Sequence, residues 1–159
     1  MSLITVGISD LAVGNMEDTL VTYALGSCVG ICLYDQRRKI GGLAHIMLPC
    51  SKDVPNSTDN YKKFADTGIF LLSKEMVKKG ADFKSLTAKI AGGAQMFASA
   101  NATFNIGERN INAVKQVLGN NNIQIIAEQT GSNIGRTIYF NVDNGMVEVK
   151  SAMMGTITI

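Results

Sequence analysis

Short runs rich in β-branched residues, broken by glycine and polar clusters, predict strands over Leu3–Ile8, Thr19–Ala24, Cys28–Asp35 and Lys39–Leu48. The polar stretch Gln36-Arg37-Arg38 between the last two marks a hairpin. Pro49 to Thr58 holds both prolines and reads as a surface loop. The clearest helical pattern runs from Asp59 to Lys79. There Tyr61, Phe64, Ala65, Gly68, Leu71, Leu72 and Met76 recur at helical spacing, and Gly80 is placed to cap the end. Leu86–Ala91 is strand-like and stops at Gly92-Gly93. A second helix spans Glu108–Leu118, with Ile111, Val114 and Leu118 on one face and Gly119 after it. Ile123–Glu128, Arg136–Val142 and Met146–Lys150 are strands, and Asn144-Gly145 is a tight-hairpin signal. The apolar tail Met153–Ile159 is expected to dock as a strand or to pack on the body. Strands outnumber helices and several neighbours are hairpin-linked. The pattern therefore predicts an α/β protein with a mixed sheet, not a doubly wound parallel one.

Composition adds exclusions. The 159 residues are 46% hydrophobic and 18% charged, enough apolar material for one domain over 1–159 and too much for a disordered tail. A single histidine excludes any site built on two, such as HExxH metalloproteases and Cys2His2 fingers. Net charge is +2, and the basic runs Gln36–Lys39 and Lys78-Lys79 fall at a turn and a helix end. They read as solvated surface, so no nucleic-acid partner is expected. The first residues lack a basic and apolar leader, and no apolar run approaches the roughly 18 residues of a membrane span. Three cysteines without an export signal imply free thiols and a cytoplasmic protein. Met96, Met153 and Met154 read as core filler before they read as a partner surface.

Strand alternation puts Cys28, Gly30, Cys32 and Tyr34 on one face, and Leu43, His45 and Met47 on one face of the returning strand. With a loop of two or four residues centred between Arg37 and Arg38, Gly30 lies opposite His45. Cys28 is then a diagonal neighbour of His45, with Cα atoms roughly 7–8 Å apart. A thiol beside an imidazole is a nucleophile beside its base, because the imidazole takes the thiol proton and can return it to a leaving amine. Gly26 permits a sharp bend before the cysteine, where backbone N–H groups can hold an oxyanion. The same residues also fit a plainer reading, in which Cys28 is an inert small hydrophobe and His45 a satisfied core residue. Cys28, Cys32, Cys50 and His45 would make a Cys3His zinc set by count. Residues four apart on a strand are roughly 13 Å apart, however, so no metal site is expected.

Thr22-Tyr23-Ala24-Leu25-Gly26-Ser27-Cys28-Val29, Leu33-Tyr34-Asp35 and Gly42-Leu43-Ala44-His45-Ile46-Met47-Leu48-Pro49 closely resemble the chemoreceptor glutamine deamidases, the CheD family. The likeness continues through Lys89–Phe97, Asn105–Asn110, Asn133–Thr137 and Asn144-Gly145. The resemblance implies a layered α/β sandwich, with mixed and largely antiparallel sheets flanked by two main helices, similar to cytotoxic necrotizing factor catalytic domains. It implies hydrolysis of receptor glutamine side chains to glutamate without a cofactor. Cys28 would be the nucleophile, His45 the general base and acid, and Thr22 a polar orienting residue. Gly26 and Ser27 would shape the oxyanion site, and Gly92, Gly93 and Gln95 a substrate-side loop. For Thr22 to meet Cys28 the chain must fold back at Gly26-Ser27. The implied partners are the cytoplasmic helices of methyl-accepting chemotaxis receptors and the CheC phosphatase. Engagement of CheC with little catalysis is the alternative function. Gln129-Thr130-Gly131-Ser132 departs from the family's acidic residue and two glycines at that place.

Overall fold

A computed structural model describes residues 2–54, 60–95 and 105–159. Among them, ten strands form two five-stranded sheets. The first sheet contains β1 (Ser2–Thr5), β3 (Asp18–Leu25), β8 (Arg136–Asn141), β9 (Val147–Ser151) and β10 (Gly155–Thr158), in that spatial order. The second contains β2 (Leu11–Gly14), β5 (Ile40–Ile46), β4 (Val29–Asp35), β6 (Leu86–Gly92) and β7 (Gln124–Thr130), again in spatial order. Each sheet has one parallel pair, β1 with β3 and β6 with β7, and its other pairs are antiparallel. Helices α1 (Ala65–Lys78) and α2 (Ile106–Asn120) cover the outer face of the second sheet. The result is the layered, mixed α/β architecture that the residue pattern and the resemblance imply.

The central strand β4 shows what holds the layers. All seven of its residues are buried. Val29, Ile31 and Leu33 pack with Ile69, Leu72 and Met76 of α1 and Val114 and Leu118 of α2. Cys32 and Tyr34 pack from the other face with Leu20, Ile138, Phe140 and Val149 of the first sheet. Burying each such aliphatic or aromatic side chain stabilises the fold by roughly 1.5–3 kcal/mol. A strand covered on both faces loses the polar alternation of a half-exposed one. Between the sheets the approach is close at Gly30, where a Cβ would sit 2.7 Å from Ile138 Cδ1.

Several boundaries differ from the sequence pattern, each for an identifiable reason. The long helix begins at Ala65 rather than Asp59, which lies outside the described residues. Met47 N–H and Leu48 N–H both donate to Lys63 O, and Leu48 pairs with Phe64 as an isolated bridge. That pairing holds Phe64 extended (φ −104°, ψ 146°), so Tyr61–Lys63 form only a short 3-10 turn before the helix. The first strand ends at Thr5, not Ile8. Ser9 takes a left-handed φ of 60° and turns the chain into β2, a strand the pattern does not mark. Helix α2 continues past Gly119, and the left-handed residue behind it is Asn122. The β8–β9 connection is wider than a two-residue turn, because Asn141 Oδ1 accepts the Asp143 N–H (2.9 Å) and draws the chain into a side-chain turn.

Other expectations hold. Gly80 follows α1 with φ 110°, and the tail docks as β10 beside β9. The β4–β5 hairpin closes with the four residues Gln36–Lys39 and sets Gly30 opposite His45. Pro55–Thr58 of the surface loop and Met96 lie outside the described residues. No helix among those described is long and apolar enough to cross a membrane.

Candidate active site

Thr22 on β3 and His45 on β5 belong to different sheets, are fully buried, and meet in the layer between them. Thr22 Oγ1 lies 2.7 Å from Val6 O and 2.6 Å from His45 Nδ1. A hydroxyl has one proton, and a carbonyl oxygen can only accept. The Thr22 proton therefore goes to Val6 O, and His45 Nδ1–H donates to Thr22 Oγ1. This assigns the tautomer and leaves Nε2 as a bare acceptor, with no hydrogen-bond partner among the described residues. The main chain of His45 is held too, its N–H by Asp10 O and its carbonyl by Ser9 N–H, each at 3.0 Å. Burial lowers the imidazole pKa to about 4, so the ring is neutral at physiological pH.

Cys28 sits where the chain passes from the first sheet to the second. Residues 26–28 form a bend between β3 and β4, at the place where the chain is expected to fold back. The pairing of β3 with β8 shifts register between Thr22 and Leu25, and Ala24 takes a left-handed φ of 59°. The left-handed residue of this crossing is thus Ala24, not Gly26. In the hairpin Gly30 lies opposite His45 and Val29 opposite Ile46, and Cys28 is the bend residue directly before β4. Its half-buried side chain packs on the inter-sheet cluster. Burial pushes the Cys28 thiol pKa up, and its own backbone N–H, directed at the sulfur, partly opposes that. Both shifts favour the uncharged forms, a thiol at Cys28 and a neutral imidazole at His45.

The glycine loop after β6 supports this bend from outside. Gly93 N–H donates to Cys28 O and Ala94 N–H to Gly26 O, both at 2.8 Å. Gly92 (φ 110°) lies so close that a Cβ there would fall 2.3 Å from Cys28 O. Gln95 N–H bonds Ser132 O, and Gly131 N–H bonds Gly92 O, so the Gln129–Ser132 segment is stitched to the same loop. Cys32 lies deeper between the sheets, and Cys50 lies beside Asp66.

The family model described as CheD chemotactic sensory transduction matches residues 47–151. A protein of Clostridium novyi (strain NT) named "Probable chemoreceptor glutamine deamidase CheD" is 50% identical over 154 residues, 96% of this chain and 94% of its own. One of the same name from Caldanaerobacter subterraneus subsp. tengcongensis is 50% identical over 151 residues, 94% of this chain and 93% of its own. This chain belongs to the CheD family. Among solved structures, the crystal structure of Bacillus licheniformis hypothetical protein YfiH is similar at TM-score 0.44 and 16% identity. That match covers 70% of this chain and 46% of the other.

Two residues of this CheD-family chain stand at the site without having been singled out by the sequence pattern. Asn110 is fully buried on α2, and its Nδ2 donates to Ser27 O (2.9 Å) and Met47 O (3.1 Å). Its signal in the sequence was an amide four residues before Val114, on the apolar stripe of the helix. Arg136 is buried opposite Leu25 and donates to Gln129 Oε1, Gly131 O (2.9 Å) and Ile134 O (3.3 Å). Gln129, part of the departure from the family pattern, therefore helps anchor that segment.

Proposed function

We propose that residues 1–159 act as one cytoplasmic deamidase domain that hydrolyses selected glutamine side chains of methyl-accepting chemotaxis receptors to glutamate. The relatives' names supply the substrate class. The chemical support is a buried imidazole whose Nδ1–H is held by Thr22 and whose bare Nε2 shares the inter-sheet face with Cys28.

In this reading the Cys28 sulfur attacks the glutamine carboxamide carbon while its proton passes to His45 Nε2. The carbonyl oxygen becomes an oxyanion, received by the Cys28 N–H on the bend shaped by Gly26 and Ser27. His45 returns the proton to the departing nitrogen, ammonia leaves, and a thioester links receptor and Cys28. His45 then takes a proton from water, the hydroxide adds to the thioester, and glutamate leaves as the thiol is restored. The residues supply every proton transfer, and no cofactor enters. Gly92, Gly93 and Gln95 form the substrate-side rim and brace the nucleophile, and receptor helices and CheC are the partners.

Mass spectrometry of receptor fragments incubated with the protein tests this reading. A gain of about one dalton at particular glutamines is expected with wild type, and none with Cys28→Ala. Full ammonia release by Cys28→Ala would sink the mechanism. If neither protein deamidates and both stimulate CheC equally, the binding role is the function.

A further inference from the structure

Asn110 occupies a position where the α2 stripe otherwise carries apolar side chains. Its two amide hydrogens go to Ser27 O and Met47 O, partners that can only accept, so the orientation of the amide is set by chemistry. Its Oδ1 is buried with no partner among the described residues. An apolar side chain of similar size would avoid that penalty. What the position gains is the two donated bonds.

Ser27 O belongs to the peptide plane that also carries the Cys28 N–H. In a trans peptide the C=O and N–H point to opposite sides of the chain. Holding Ser27 O toward α2 therefore turns the Cys28 N–H away from α2. The following plane is held as well, by Gly93 N–H on Cys28 O at 2.8 Å. The second Asn110 bond lands on Met47, two residues beyond His45, so one amide ties the nucleophile bend to the end of the histidine strand.

We propose that Asn110 is a positioning residue for the deamidation argued above, locking the Ser27–Cys28 peptide so that the Cys28 N–H faces the oxyanion formed on attack. The inference rests on that reading of the reaction. It assigns Asn110 no contact with substrate.

Two reactions of the same sulfur separate this role from general support. Alkylation of Cys28 by iodoacetamide forms an S–C bond and expels iodide without making an oxyanion. Deamidation must pass through one. In full-length Asn110→Ala, kcat for receptor deamidation is expected to fall roughly 100-fold with KM within about threefold. The rate of Cys28 alkylation and its pH profile, followed by peptide mass spectrometry, should stay at wild-type values. Asn110→Leu, which fills the space, carries the same measurement if the alanine variant does not fold. Unchanged deamidation overturns the positioning role, and so does a parallel loss of deamidation and alkylation. A wild-type protein that alkylates at Cys28 but deamidates no receptor overturns the deamidase reading and this role together. A deamidating wild type beside an unimpaired variant overturns this role alone.

Discussion

His45 Nδ1 lies 2.6 Å from Thr22 Oγ1, and this contact joins the two sheets. The threonine hydroxyl, committed to Val6 O, can only accept from the ring, so His45 is held in one tautomer, the one that the proposed base role needs. Replacing Thr22 with valine keeps the shape and removes the acceptor. Receptor deamidation by Thr22→Val is expected to fall on the order of 100-fold, whereas Thr22→Ser should keep most of the rate. A valine variant with wild-type kcat would remove Thr22 from the mechanism.

The buried histidine also makes stability depend on pH. Its folded pKa is about 4, against an unfolded value near 6.5, so the unfolded chain binds more protons between those values. Stability therefore falls as pH drops from 6.5 toward 4. Between pH 7 and pH 5 this one group should account for about 2 kcal/mol. Denaturant unfolding of wild type and His45→Gln at both pH values gives the difference, and equal pH slopes would contradict the assignment.

Gly30 faces His45 within its sheet, while across the layer its missing Cβ leaves room for Ile138, the strand partner of Thr22. Adding that carbon puts it 2.7 Å from Ile138 Cδ1 and separates the sheets where Thr22 must reach His45. Gly30→Ala should lose roughly 1–3 kcal/mol of stability together with deamidation activity. Ile138→Val removes the offending methyl, so the double variant is expected to regain activity relative to Gly30→Ala. Additive losses in a double-mutant cycle would argue against the close approach.

Gly92 and Gly119 should respond in opposite directions to alanine. At Gly92 the new carbon meets Cys28 O at 2.3 Å with φ 110°, a backbone clash in a left-handed conformation. A loss of roughly 2–4 kcal/mol is expected, together with loss of activity. At Gly119, inside α2 with nothing within 4 Å, alanine should stabilise by roughly 0.5 kcal/mol. Thermal unfolding of the two variants tests the pair.

Much of the site was legible because strand parity is local. Alternation and the polar turn allowed Gly30 opposite His45 for a loop of two or four residues, and the structure closes that loop with four. Thr22 was not legible from spacing, and its role came only with the family resemblance. It reaches His45 through a bend and a change of sheet, and no periodicity encodes that crossing. Asn110 was missed because a lone amide on a helical stripe has no distinctive spacing. The start of α1 was missed because Phe64 is tied to Leu48 by a bridge between segments sixteen residues apart.

The sequence by itself determined most of the element types, the hairpin between β4 and β5, and the scarcity that leaves His45 as the one imidazole in the chain. These depend on side-chain period and composition, which act over a few residues. Tertiary structure decided the tautomer of His45, its depressed pKa, and the bracing of the Cys28 bend by Gly92, Gly93 and Asn110. Those properties arise from burial and from hydrogen bonds between distant segments. They exist only once two sheets and a helix close over the same few atoms.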